Sequence, residues 1–354
     1  MQIAKKRFAK LLLLFSGLLL SLTTAEFAGR AFARLAVEQR VSIADDVLGW
    51  KLIPYARRMY RKEAQPYLIE INSKGLRDRE HSYEKPPGIF RIVVIGDSLV
   101  FGSGGVDPSS RFTDILERTM KNVEVINMGI PAYSTDQEYL YLKNEGMKYH
   151  PDLVILCGDR NDFKESFVTV NPSNGRPKGY FSTAAGQLVF HPPSFSLFYR
   201  LSQRSYVLGV VDFLWTELLN SFKGYRKRYR FQVLTPQERL DTFRQILISA
   251  ENLCHDQGSD FLVVYFPFRG LKGDNPMRHV MDELAATRGT RTLDLTNYMQ
   301  RVNTQRVAYL QKDVHFNEYG HQIVADALQE YILTRGLLSS ALAKSQPPAL
   351  SGNN

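Results

Sequence analysis

The sequence predicts an α/β fold: a parallel sheet covered by helices on both faces. Three observations carry that prediction. Short apolar runs end in glycine at "FRIVVIG", "VEVINMG" and "DLVILCG", and strands buried on both faces read as such unbroken runs. Helical stretches separate these runs, as crossover connections between parallel strands require. Later, the long amphipathic stretch "TPQERLDTFRQILISAENLCHDQG" leads straight into a further run, "DFLVVYF". With 354 residues, 44% hydrophobic and 23% charged, the chain has ample core material for one such domain with appendages.

The elements follow in order. Lys5, Lys6, Arg7 and Lys10 precede an uncharged run from Leu11 to Ala25, the order of an export signal. At about 1.5 Å per residue the run alone is short for a hydrocarbon core of about 30 Å. Phe8 to Ala28, with Lys10 and Glu26 reaching toward the interfaces, extends it to a span. Residues 1–28 therefore read as a signal-anchor holding an extracytoplasmic domain at the cell membrane. Thr23 and Ala25 leave open the alternative of a cleaved signal and a secreted or periplasmic protein. In both cases the basic flank stays cytoplasmic.

Residues 29–88 form a leader rich in Arg, Tyr and Pro, without a clean period, and the Pro-Pro-Gly of "EKPPGIF" closes it. The main domain spans 89–335. A strand begins at Phe90, a helix lies around Arg111 to Lys121, and a second strand follows. "STDQEYLYLKNEG" is a helix with two capping signals, Ser134/Gln137 and Thr135/Glu138. A third strand enters after Pro151. The alternation then breaks over 164–234, an insertion that reads as a helical cap on the sheet, or as a lid or membrane-contacting helix. Its aromatics Phe195, Phe198, Tyr199, Tyr206, Phe213 and Trp215, with Arg200, Arg204, Arg226, Lys227 and Arg228, are expected to fold over the site and meet substrate. The long helix, a strand, the weaker strand "RTLDL" and the helix "NEYGHQIVADALQEYIL" complete the domain. Residues 336–354 read as a disordered tail.

The net charge of +9 suits an anionic neighbour such as membrane lipid or acidic polysaccharide. The cluster "GYRKRYRF" has no accompanying zinc, helix-turn-helix or RNA-sheet signature, so no nucleic-acid partner is expected. Two cysteines, Cys157 and Cys254, allow one disulfide at most and leave the compartment open. No Cys/His cluster has ligand spacing, so no metal is expected. Gly96, Gly102, Gly104 and Gly105 lack the Gly-Lys-Ser/Thr of a phosphate loop, and no cofactor is expected.

Ligands of doubly wound sheets bind beyond the carboxyl ends of the strands. Ser98 follows the first strand, Gly129 ends the second and Asn161 follows the third. A hydroxyl, an unobstructed backbone N–H and a carboxamide thus point toward one place, as acyl transfer to serine requires. "KDVHFNEYGH" adds a base, His315, with Asp313 two residues earlier to orient it.

Together "GDSLVFG", "INMGIPAYST", "RNDF" and "DVHFNEYGH" resemble, in order and spacing, the blocks of the SGNH (GDSL) hydrolase superfamily over roughly Phe90 to Tyr331. The upstream "LGWKLIP" and "INSKGLRD" resemble the leader of membrane-anchored bacterial members. The resemblance implies a three-layer flavodoxin-like fold, a serine esterase or acyltransferase, Ser98 as nucleophile and His315 as base. It implies an oxyanion hole of the Ser98 N–H, the Gly129 N–H and the Asn161 side chain, with no metal or organic cofactor. The chain departs from the pattern twice. Asp159 stands where the third block has glycine, so its carboxylate must point away from the oxyanion or be paired. Lys312 stands where the acid is usual, and Asp313 is the substitute. The expected substrate is an O-acyl, and in particular an O-acetyl, group of an extracytoplasmic glycan. The departures keep open a catalytically silent glycan-binding or assembly protein.

Overall fold

The structure is a computed structural model that describes residues 2–35, 40–60, 66–221, 234–267, 275–302, 307–311 and 313–338. Helix α1, Gln2–Leu35, carries the amino-terminal apolar segment. Among the described residues it is the one helix long and apolar enough to cross a membrane, over Ala4–Leu35 with mean hydropathy 1.8. That property fits a signal-anchor and a signal peptide equally. The helix runs seven residues beyond the expected end at 28, because "GRAFARL" contains no proline and mostly good helix formers.

The leader is not featureless. It forms two small hairpins, β1 (Ser42–Asp45) with β2 (Gly49–Leu52) and β3 (Arg57–Tyr60) with β4 (Tyr67–Glu70). Trp50, Leu52, Ile69, Ile71 and Leu76 are buried in the main core.

The central sheet consists of β5 (Phe90–Gly96), β6 (Val123–Gly129), β7 (Leu153–Gly158), β10 (Asp260–Tyr265) and β11 (Arg291–Asp294). Its order is β11-β10-β7-β5-β6 and every pairing is parallel. Strand pleating divides the core in two. Val93, Ile95, Val154, Leu156 and Val263 face α4 (Thr135–Asn144), α8 (Pro236–Asp256) and α9 (Pro276–Arg288). Ile92, Val94, Leu153, Ile155 and Leu262 face α3 (Phe112–Thr119), α10 (Thr296–Val302) and α11 (Glu318–Thr334). This is the expected three-layer α/β architecture. Both cysteines are free and buried.

The insertion opens with a hairpin, β8 (Tyr180–Ala184) and β9 (Gln187–His191), which the sequence reading did not anticipate. The hairpin packs on α8, with Phe181 in the core and Thr183 hydrogen-bonded to Thr242 at 2.8 Å. Two helices follow, α6 (Leu197–Ser202) and α7 (Tyr206–Ser221). Helix α7 lies against α1: the Glu26 carboxylate accepts from the N–H groups of Tyr206 (2.8 Å) and Val207 (3.0 Å). Arg226, Lys227, Arg228 and the cluster around them lie outside the described residues. Of the expected tail, Leu337 is buried against the core, and 339–354 lie outside the described residues.

Candidate active site

Three strand ends and one loop build the site. Strand β5 ends at Gly96, where a Cβ would lie 2.8 Å from the Cys157 carbonyl oxygen, so a side chain there would force β5 and β7 apart. Asp97 caps the four-residue helix α2 (Ser98–Phe101) by accepting from the Leu99 N–H at 2.8 Å. This abrupt turn leaves Ser98 half-buried at the top of the sheet. At the other end of α2, the buried Arg77 donates to the carbonyls of Phe101 (2.9 Å), Gly102 (2.8 Å) and Val106 (3.2 Å). Its guanidinium also stacks on the rings of Tyr67 and Phe101, and burial with the nearby Arg111 lowers its pKa to about 10. A leader residue thus fixes the helix that presents Ser98.

His315 reaches Ser98 from the loop before α11. Its Nε2 lies 2.8 Å from Ser98 Oγ, and its Nδ1 lies 2.8 Å from Asp313 Oδ1. With the Nδ1–H donated to Asp313, Nε2 is the acceptor for the Ser98 hydroxyl. Burial opposes the charge on Asp313, but His315 and the N–H groups of Val314 and His315 hold its carboxyl below the usual range. Ser98 Oγ has a second neighbour, Asp97 Oδ2 at 3.1 Å. Lys312, the residue in the usual acid position, lies outside the described residues. The other histidine of this block, His321, is buried in α11 and stacks on Phe112. Burial, with Arg111 nearby, lowers its pKa to about 3, so it stays neutral.

The Asp159 departure is resolved locally. Asp159 caps α5 (Arg160–Glu165), accepting from the Asn161 N–H, while Asp162 accepts from the Asp159 N–H at 2.6 Å. The carboxylate is occupied by a capping box. Asn161 lines the Ser98 cavity, and its carboxamide has no protein partner among the described residues.

Gly129 is where the sequence reading needs correction. Its N–H donates to Asn127 Oδ1 at 3.0 Å, and Gly129 is not in the cavity wall. A Cβ there would lie 2.2 Å from the Phe101 nitrogen. The glycine exists to let α2 close onto β6, a packing that Asn127 reinforces by donating to the Val100 carbonyl at 2.7 Å. In the wall the corresponding position is Ala132, with φ +64°. Its N–H has no protein acceptor among the described residues. No residue type announces this position, since alanine rarely adopts the left-handed region.

The expected caps of α4 also differ. Ser134 makes no side-chain cap. Its hydroxyl instead donates to Asp136 (2.8 Å) and accepts from the buried Lys178 (2.6 Å), whose ammonium also meets Asp136 (2.8 Å) and the Glu165 carbonyl (2.6 Å). Gln137 donates to the Leu48 carbonyl of the leader at 2.6 Å. Glu138 is fully buried with neither oxygen hydrogen-bonded, and burial beside Asp97 and Asp159 pushes its carboxyl well above the usual range.

Ser98, His315, Asn161 and Ala132 share a cavity of about 460 Å³. Its wall includes Trp50, Tyr60, Tyr67 and Tyr133, together with Arg58 and Arg176. The insertion contributes Glu165, Ser173, Asn174 and Arg176, but none of its six expected aromatics is in the wall. No group of three or more His, Cys, Asp or Glu arranged to hold a metal occurs among the described residues.

A family model for GDSL-like lipase/acylhydrolase matches residues 92–328. No curated protein matches the chain. Similar solved structures include a member of the lipolytic G-D-S-L family from Veillonella parvula: 14% identity, covering 70% of this chain and 99% of that one, TM-score 0.40. An acetylxylan esterase from Geobacillus stearothermophilus is similar at 14% identity, covering 69% and 94%, TM-score 0.40. A lipase/acylhydrolase from Enterococcus faecalis is similar at 18% identity, covering 70% and 97%, TM-score 0.39.

Proposed function

Because the chain belongs to the GDSL-like lipase/acylhydrolase family and is an ester hydrolase, we propose that it is an exported serine esterase with Ser98, His315 and Asp313 as its triad. One observation carries this reading: the continuous hydrogen-bonded line from Asp313 through His315 to Ser98, with 2.8 Å at both links. Ser98 Oγ attacks the ester carbonyl and passes its proton to His315 Nε2, while Asp313 stabilises the imidazolium. The Ser98 N–H, the Ala132 N–H and the Asn161 carboxamide receive the developing oxyanion, with Ala132 in place of Gly129. His315 returns the proton to the leaving alkoxide. Water or a sugar hydroxyl, deprotonated by His315, then attacks the acyl carbon, and His315 returns that proton to Ser98 Oγ as the acyl–serine bond breaks.

The proposed substrate is an O-acyl, chiefly O-acetyl, group on an extracytoplasmic glycan. The wall of aromatic rings and guanidinium groups suits a sugar unit, and the amino-terminal segment places the site outside the cytoplasm when it is read as an export signal. The chain is proposed to divide as anchor 1–28, leader 29–88, hydrolase domain 89–335 and tail 336–354. Labelling by a fluorophosphonate tests the chemistry: the label should be found on Ser98 and be lost in His315→Ala. A folded wild-type chain that takes no label would instead support the silent glycan-binding protein.

A further inference from the structure

A second cavity, of about 550 Å³, lies between the carboxyl end of α1 and helix α7. Arg30, Arg34, Arg40, Arg58, Arg176 and Arg204 line it, and no carboxylate does among the described residues. Arg30 pairs with Glu26 at 2.6 Å. Arg34, Arg40, Arg176 and Arg204 form no ion pair among the described residues. Two of these are held by neutral partners: Arg40 donates to the Ser202 carbonyl (2.9 Å) and Arg176 to the Ser42 hydroxyl (2.8 Å). Their charge is fixed in place without an ion pair among the described residues, although Asp212 and Glu26 act on Arg40 from a longer range and Arg176 lies over the Trp50 ring at 5.8 Å. Burial, with Arg40 and Arg58 nearby, lowers the pKa of Arg176 from its ordinary value, so an anion in this cavity would relieve like-charge repulsion.

The position of the cavity identifies the kind of anion. Arg30 and Arg34 follow directly on the apolar span of α1. Beside them α7 leaves Phe213, Leu214, Trp215 and Leu218 more than half exposed. An apolar face with aromatic residues next to basic side chains, at the end of a membrane helix, matches the interfacial layer of a bilayer. The cavity also shares Val41, Ser42, Arg58 and Arg176 with the Ser98 cavity.

We infer that this cavity binds the phosphate head group of an amphiphile resident in the outer leaflet, and presents the polar part of that molecule to Ser98. Arginine forks match phosphate oxygens in pairs, and the hydrocarbon lies along α1 and α7. The inference rests on the reading of residues 1–28 as a retained anchor. The test is native mass spectrometry of the full chain in detergent with phosphatidylglycerol or with diacylglycerol. One phosphatidylglycerol should stay bound per chain, and diacylglycerol should not. The variant R34A/R40A should retain about tenfold less or lower, while R34K/R40K, which keeps the charge but loses the paired fork, should fall between that variant and the wild type, with circular dichroism melts confirming that both fold. Equal retention of the two lipids by the wild type overturns the inference. So does displacement by inorganic phosphate, or by an acidic oligosaccharide without lipid, at the concentration of the lipid. A chain beginning at Glu26 in the same spectrum overturns the anchor reading itself, which is distinguishable from loss of lipid by an intact chain.

Discussion

The leader and the second half of the insertion make an instructive pair. The leader lacks a hydrophobic period, yet its Arg77 grips the carbonyl end of α2 and its Leu48 carbonyl holds Gln137 at the start of α4. The insertion helices α6 and α7 are rich in aromatics, yet none of those rings is in the wall of the Ser98 cavity. What separates the two is the kind of contact. In the leader, buried Trp50, Leu52, Ile69, Ile71 and Leu76 and a buried cation on backbone carbonyls act together to tie the segment to the site. Phe213 and Trp215 of α7, by contrast, are more than half exposed, and such side chains contribute little until something else covers them.

Three variants sharpen or break that contrast. The largest effect is expected from Arg77→Ala, which leaves the carbonyls of Phe101, Gly102 and Val106 without their donor. Urea unfolding should show a loss of about 2–4 kcal/mol. A loss under about 0.5 kcal/mol would place the leader with the insertion helices.

A smaller, pH-dependent effect is expected where leader and insertion meet, at the start of α4. Glu138 is raised above its ordinary 4.5 by burial, so the folded chain keeps a proton that the unfolded chain gives up. Its stabilising contribution is full below pH 4.5 and declines as pH rises through the raised value. Glu138→Gln carries no such proton. Its stability should therefore fall less steeply than that of the wild type above pH 4.5, by up to about 1.4 kcal/mol per pH unit. Parallel profiles of melting temperature against pH would show that Glu138 is ionised in the fold. The smallest effect is expected from Phe198→Ala on α6, 43% exposed and outside both cavities. Stability should stay within about 0.5 kcal/mol and small-ester turnover should not change; a large drop in turnover would return the insertion aromatics to the site.

The contrast also explains what the sequence disclosed. Strands β5 and β6 match the apolar runs residue for residue, because burial on both faces leaves a near-continuous pattern, interrupted only by Arg91, Glu124 and Asn127. The proposed site residues Ser98, Asn161 and His315 stand out in the sequence because each follows such a run or precedes a strong helix. Asp313 was legible because only two residues separate it from His315. Ala132, proposed in place of Gly129, does not stand out, since the reason for it lies in backbone conformation rather than side-chain type. Gly129 was misassigned for a related reason: a glycine at a strand end fits an oxyanion donor and a close helix contact equally, and α2 decides between them. The Ser134 cap was lost to Lys178, a partner 44 residues away that no local pattern reveals.

The most direct test of the Ser98–His315 assignment is the turnover of a simple acetate ester by the purified chain and by Ser98→Ala, with folding compared by circular dichroism. The variant should fold normally, and its turnover should fall about 10⁴-fold or more. Unchanged turnover in a folded Ser98→Ala protein would contradict the assignment.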